Sequence, residues 1–272
     1  MDEERLIKSD RRVKAHGEVF TPKRIVKQML ETSSIQPELS SLVATFLEPA
    51  AGEGAFLIEI LLRKLKLADD LSHSISDFEQ NALISLMSLY GIELLIDNAE
   101  LLAMHMYQVF YQEYFRQLSK YHAPKKKSVL KSALTIIQAN MVQGDALTGK
   151  NKNGDDIIFS QWNLLRKQRG VQKVQRTEYT FDAIKNDGPS IDGQQQVHGA
   201  EELSLFDLED PIIEAGQYRY AVVSLPNIYK ESKILVTDEN NSNKHRWVLF
   251  RKRIAKQVTS YVSLKLFVHW CK

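Results

Sequence analysis

The chain has 272 residues and a formal net charge of +2, with 43% hydrophobic and 26% charged residues. That balance excludes collagen-like, low-complexity and wholly disordered classes, and it confines any basic surface to a local patch. The lone cysteine, Cys271, excludes an intramolecular disulfide framework and a multi-cysteine zinc site, and it suits a reducing compartment.

Residues 1–16 are charged and without a strong period, which predicts an arm or a frayed helix. Their acidic opening has no apolar core of the signal-peptide kind, and no apolar run of about 18 residues occurs anywhere, so the expectation is a cytoplasmic protein with no membrane span. Thr21 and Pro22 then predict a helix start, Thr21 as the cap and Pro22 as the first helical residue, with Ile25, Val26, Met29 and Leu30 on one apolar face. Residues 43–47 read as a short buried strand stopped by Pro49. Gly52 and Gly54 make a tight turn. A helix follows from Ala55, with Phe56, Leu57, Ile60, Leu61 and Leu65 at helical spacing.

Asp77 is the expected cap of a second helix through Leu86, and residues 89–94 a strand. A long helix is expected from Asp97 to about Lys120, with Leu101, Met104, Tyr107, Tyr111 and Phe115 as its core face. Residues 132–139 are ambiguous between helix and strand, and 141–147 contain a Gly-Asp turn. Beyond Gly149, residues 161–176 are basic with one tryptophan, Trp162. Strands are expected at 177–184, 218–225, 247–250 and 261–270, with a flexible linker at 186–217. Alternation of strand and helix over 17–147 predicts an α/β fold, a parallel sheet with helices on its faces. The expected division is an arm at 1–16, a main domain at 17–185, the linker, and a small strand-rich segment at 218–272.

The strongest chemical signal is the run from Leu47 to Phe56, which follows a strand and opens a helix. Its glycines let a ligand approach the backbone, and the helix start offers free N–H groups. Glu48 and Glu53 argue against a phosphate cradle, because two carboxylates repel an anion. They suit a ligand with a cation, hydroxyls and an amine, such as S-adenosylmethionine. A plain strand-to-helix turn is the alternative for the glycines alone. The segment Gly17–Pro22 lies upstream. Glu93 ends the next strand and Asp145 follows a third.

In this order the motifs resemble the cofactor half of the N6-adenine DNA methyltransferases of restriction-modification systems, over residues 11–147. The resemblance implies a class I methyltransferase-like, Rossmann-like sheet, with residues 64–86 as an inserted helical pair and a small irregular C-terminal segment. It implies that Phe20, Thr21 and Pro22 line the methionine end of S-adenosylmethionine. Glu48, Pro49, Ala51, Gly52, Gly54 and Phe56 match the glycine-rich loop. Glu93 matches the acid that accepts the ribose hydroxyls, and Asp145 the acid that accepts from the adenine amine. Glu93 lies 39 positions beyond Gly54, where about 20 is usual in nucleotide-binding units, hence the inserted pair.

The family's catalytic loop is an Asn, Asp or Ser followed by Pro-Pro and an aromatic residue, which holds the flipped base. No Pro-Pro dipeptide occurs in the chain. Residues 181–184 resemble the strand that leads to this loop, and Asn186 is a weak catalytic candidate with no aromatic beside it. Residues 225–229 have suitable residue types in another order. The expectation is therefore a split enzyme, with double-stranded DNA as substrate and a second polypeptide carrying the Pro-Pro-aromatic loop and the target-recognition region. A regulatory DNA-binding subunit and a self-sufficient enzyme with a divergent loop are the alternatives. Arg166, Lys167, Arg169, Lys173 and Arg176, near Trp162, are candidate phosphate contacts, with a solvated basic loop as the plain reading. The histidines have no metal-ligand spacing, so no metal is expected.

Overall fold

The computed structural model describes residues 8–16, 18–186, 188–191 and 218–235. The strands expected at 247–250 and 261–270 and most of the linker at 186–217 lie outside the described residues. The N-terminal elements are helices α1 (Asp10–His16), α2 (Lys23–Leu30) and α3 (Gln36–Leu39). Strands β1 (Phe46–Glu48), β2 (Leu89–Glu93) and β3 (Met141–Gln143) form a parallel sheet in the order β1-β2-β3. Helices α4 (Ala55–Asp70) and α5 (Ile75–Met87) connect the first two strands, and α6 (Ile96–Lys120) and α7 (Lys127–Asn140) the second and third. Register pairs Leu47 with Tyr90 and Ile92 with Val142.

The central strand β2 is buried along its whole length, and its period of two divides the molecule into two layers. On one side, Leu89 joins the core built by α4 to α7. A Cβ on Gly91 would sit 2.9 Å from Leu57 and 3.1 Å from Leu102, so only glycine lets α4 and α6 lie this close to the strand. On the other side, Tyr90 and Ile92 pack with Ile157, Phe159, Tyr179, Phe181 and Ile184. Phe159 and Tyr179 belong to an antiparallel hairpin, β4 (Ile158–Leu164) with β5 (Lys173–Thr180), which Ile157 leads into, and Phe181 and Ile184 to the short helix α8 (Phe181–Lys185). Tyr90 meets Phe159 edge-on at 5.4 Å, and its hydroxyl donates to the Ser160 carbonyl at 2.7 Å. The long helices thus cover one face, and the second face, expected to carry helices as well, is covered mainly by a hairpin.

Several elements differ from expectation for identifiable reasons. Pro22, not Thr21, is the cap residue of α2. Ser74 caps α5 by accepting from the Asp77 N–H, and Asp77 sits three residues further in, its carboxylate receiving the Ser74 hydroxyl at 2.8 Å. The stripe of α6 that enters the core is Leu102, Met106, Phe110, Tyr114 and Leu118. The expected face lies beside it, with Met104 and Tyr111 exposed and Tyr111 stacked on Phe115 at 4.4 Å. The strand expected at 177–184 ends at Thr180, whose hydroxyl accepts the Ala183 N–H at 3.0 Å and turns Phe181–Lys185 into a helix. The strand expected at 218–225 is divided. Tyr218–Tyr220 (β6) pairs with Lys233–Leu235 (β8), and Val223–Ser224 (β7) pairs with β5. Leu225–Lys230 is a 3₁₀ turn whose Leu225 and Ile228 are fully buried in the core of the helical layer. No helix among the described residues is long and apolar enough to cross a membrane.

Two buried polar side chains fix the N-terminal ends of the strands. Asn140 donates to the Leu89 carbonyl at 3.0 Å and accepts from the Trp162 indole at 3.0 Å, so it joins sheet and hairpin. Lys64 is fully buried, and its ammonium reaches the carbonyls of Ser41, Leu42 and Ala44 and the Ser88 hydroxyl at 2.7–3.1 Å. It thereby ties the segments that enter β1 and β2 to α4. Burial pushes this amine down to about 7 from its ordinary 10.5, with Glu38 opposing the shift. Between those values the unfolded chain holds a proton that the folded chain has released, so the contribution of Lys64 to stability increases with pH. The urea midpoint of the wild type, taken relative to Lys64→Met, is expected to rise between about pH 7 and about pH 9.5, and a difference that is flat or falls over that window contradicts this assignment.

Candidate functional site at the strand ends

The C-terminal ends of β1, β2 and β3 meet at one edge of the sheet, the position at which open parallel sheets bind ligands. After β1, the chain turns through Gly52 at φ +56° and Gly54 at φ +99°, and Gly54 is the residue from which α4 starts. A Cβ at Gly54 would lie 2.6 Å from Leu102, and one at Gly52 would lie 3.8 Å from the Phe20 ring. The glycines are therefore required by backbone conformation at both positions and by α6 packing at Gly54, while Phe20 lies beside Gly52.

Glu93 ends β2 and is buried at 6% exposure. One of its carboxylate oxygens accepts the Gly52 N–H at 2.8 Å, and the other accepts the Leu95 N–H at 3.0 Å. Two backbone donors hold the group in place, and the carboxylate keeps further lone pairs for a hydroxyl-bearing ligand. Ala51 donates to the Ile92 carbonyl at 2.9 Å, and Gly144 donates to the Glu93 carbonyl at 2.9 Å. The three loops are thus connected through one residue. Asp145 follows Gly144 and accepts the Leu147 N–H at 2.8 Å on its side chain, a short turn that holds the carboxylate at the sheet edge. Leu94, Ile96 and Leu147 are exposed apolar side chains in the same loops, Leu147 at 88%.

The other cofactor candidates are placed as follows. Glu48 is buried at the end of β1, with Pro49 partly exposed and Ala51 buried beside the turn. Phe56 lies in the first turn of α4 and packs on the helical core. Thr21 and Pro22 are partly buried and lead from Phe20 into α2. The structure thus brings Phe20, Gly52, Gly54, Glu93 and Asp145 to one edge.

It also brings in residues that sequence reasoning missed. Lys8 lies 2.8 Å from Glu53 and 3.3 Å from Asp97, with its ammonium over the Phe20 ring at 5.9 Å. Arg12 pairs with Glu18 and with Asp97, the latter at 2.8 Å. The Arg12 bond holds the Glu18 carboxyl below the usual range, and Arg12 followed by Lys8 holds Asp97 at about 2. Asn98, 1% exposed, donates to Glu18 at 2.6 Å. His105 of α6 bonds the Glu53 carbonyl at 3.0 Å. The only sequence signal for the arm was the four-residue spacing of Lys8 and Arg12, which puts both on one side of a helical turn.

The catalytic and DNA-contact candidates lie elsewhere. Asn186 caps the end of α8 and spends its amide on Asp182 at 2.9 Å. Arg166, Lys167 and Arg169 are exposed at the β4–β5 tip, where Arg169 and Gly170 both have positive φ, as in a type I′ turn. The hairpin runs from Ile157, bonded to Gly149 near Asp145, past Trp162 at the N-terminal end of β3, to Gln172, which donates to Gln80 of α5 at 2.8 Å. Its tip therefore lies toward the N-terminal ends of the parallel strands, away from Gly52. Lys173 is at the root of β5. Arg176 is held by Glu178 at 2.8 Å and by Glu231, between the Tyr220 and Trp162 rings. Trp162 is buried, so it offers no face to a nucleic acid.

A family model described as N-6 DNA methylase matches residues 5–169. No curated protein and no solved structure matches the chain. The Gly54 geometry makes a direct test of the turn. Gly54→Ala is expected to cost about 2–4 kcal/mol, from an unfavourable left-handed backbone together with the clash on Leu102. Denaturant unfolding within about 0.5 kcal/mol of wild type would show that neither constraint operates.

Proposed function

The chain belongs to the N-6 DNA methylase family, and from that premise we propose that its strand-end site binds S-adenosylmethionine and presents it to an adenine amine in double-stranded DNA. The observation that supports this most is the convergence on Glu93, whose side chain and carbonyl receive the Gly52 and Gly144 N–H groups. That arrangement sets the Glu93 carboxylate beside a glycine turn on one flank and Asp145 on the other. In this reading Glu93 accepts the ribose hydroxyls and Asp145 accepts the exocyclic amine of the cofactor's adenine. Leu94, Ile96 and Leu147 offer apolar contact to the ring faces. Phe20, Thr21, Pro22, Gly52 and Gly54 line the methionine end, where the nearby Glu48 and Glu53 suit a cation.

S-adenosylmethionine supplies a methyl group already activated by its sulfonium. The work left to the chain is to bind it, orient it and exclude water, and a target amine must be held in line with the sulfur for transfer to gain from that order. The described residues favour a division of labour for the second half of this task. Asn186 is exposed and bonded to Asp182. Asn227 donates to Ser224 at 2.8 Å between the buried Leu225 and Ile228. Neither is arranged to grip a flipped base, and the chain has no Pro-Pro dipeptide. The proposal therefore includes a second polypeptide with the Pro-Pro-aromatic loop and the target-recognition region. This chain is then the cofactor-binding subunit of a restriction-modification type enzyme. Residues 17–185 form its cofactor domain, 1–16 its arm and 218–272 its closing segment.

Calorimetry of the full chain with S-adenosylhomocysteine is expected to show binding, and Asp145→Ala to weaken it by about 1–3 kcal/mol, the loss for a hydrogen bond to a charged group. No heat and no thermal shift from folded protein at millimolar ligand sinks the cofactor reading. With tritiated cofactor, methyl transfer to DNA is expected only after a partner with the missing loop is added. Robust N6-methyladenine formation by the chain alone, lost in Asn186→Ala, overturns the division of labour. Failure with every such partner despite cofactor binding favours the regulatory subunit.

A further inference from the structure

We propose that Asn98 is a positioning residue that sets the Glu93 carboxylate and couples it to the N-terminal arm; the inference rests on the cofactor reading above. Asn98 is buried in the first turn of α6, five residues after Glu93. Its amide stands between two pairs of opposite charge. The Nδ2 group donates to Glu18 at 2.6 Å and lies 3.4 Å from the Glu93 oxygen that also receives the Leu95 N–H. The Oδ1 atom accepts from the Lys8 ammonium and lies 3.5 Å from the Arg12 guanidinium. Turning the amide over would point its oxygen at two carboxylates and its nitrogen at two cations, so the charges around it fix its orientation.

Two consequences follow from this placement. Glu18 and Glu93 each place a carboxylate oxygen against the Asn98 Nδ2 group, so one neutral donor serves two carboxylates that water reaches poorly. The Gly52 N–H holds one Glu93 oxygen while Asn98 and the Leu95 N–H restrain the other. The arm adds a second constraint. Lys8 and Arg12 hold the Asn98 oxygen, and they also clamp Glu53 of the glycine turn and Glu18 ahead of Phe20. Asn98 is thus bonded to the arm, to the segment that leads to Phe20 and to Glu93. A charge or length change at Asn98 acts on ligand hydroxyls through Glu93, without touching the ligand.

The test compares two probes, S-adenosylhomocysteine and its analogue lacking both ribose hydroxyls, by calorimetry on the full chain. Asn98→Ala is expected to bind S-adenosylhomocysteine about tenfold more weakly than wild type while binding the dideoxy analogue within about twofold, because the lost interaction runs through the hydroxyls. Glu18→Gln, which keeps size and removes charge, is expected to show the same pattern with a smaller loss, and it decides the matter if Asn98→Ala does not melt cooperatively. Equal losses for the two probes, or no loss for either, in a cooperatively melting variant mean that Asn98 is only structural and overturn the proposal. Failure of the wild type to bind S-adenosylhomocysteine overturns the cofactor reading, and this inference with it.

Discussion

A buried carboxylate is tolerated only where hydrogen-bond donors replace the water it has lost, and in this chain that requirement is met at Glu93 by the backbone itself. The Gly52 N–H can reach the carboxylate because the chain after β1 turns back toward β2 through residues with positive φ. The turn in turn depends on Gly54, whose missing Cβ leaves room for Leu102 of α6. One hydrogen bond therefore relates the first strand, the second strand and the helix that follows it. Gly144 extends the same relation to the third strand through the Glu93 carbonyl. The candidate site is the place where the sheet's own connections converge, and its polar groups hold the three loops together.

The opposite end of the sheet is held by a different chemistry. Lys64 and Asn140 supply donors to carbonyls at the starts of β1 and β2, where a short sheet covered on both faces would otherwise leave buried backbone oxygens without partners. The core side chains around them are aliphatic and aromatic, so these two polar groups define the register that nonspecific burial leaves open.

Much of this was legible in the sequence. The glycine turn, the acids after β2 and β3, and the alternation of strand and helix through residue 147 are local signals, each carried by a residue type with one dominant physical use. The errors over α6 and the arm originate in long-range packing, and those at the starts of α2, α5 and α8 in local capping. The face of α6 was misassigned because its aromatic residues occur on two adjacent stripes, and only the contacts with α4 and α7 select Phe110 and Tyr114 over Tyr111 and Phe115. Residues 181–185 have a strand-like composition, yet the Thr180 cap and the fit of Phe181 against Phe159 at 5.9 Å make them a helix. The sequence predicts an arm or a frayed helix at 1–16 but not its contacts, because the partners Glu53, Asp97 and Asn98 lie more than forty positions away in sequence.

If the three strand-end loops form one cofactor site, a bound ligand orders them together, and amide hydrogen exchange with and without S-adenosylhomocysteine reads that ordering. Added ligand is expected to slow exchange together in residues 52–56, 94–98 and 145–149, and to leave the hairpin tip at 166–171 unchanged. Protection confined to one of the three loops, or centred on the hairpin tip, would contradict a shared site.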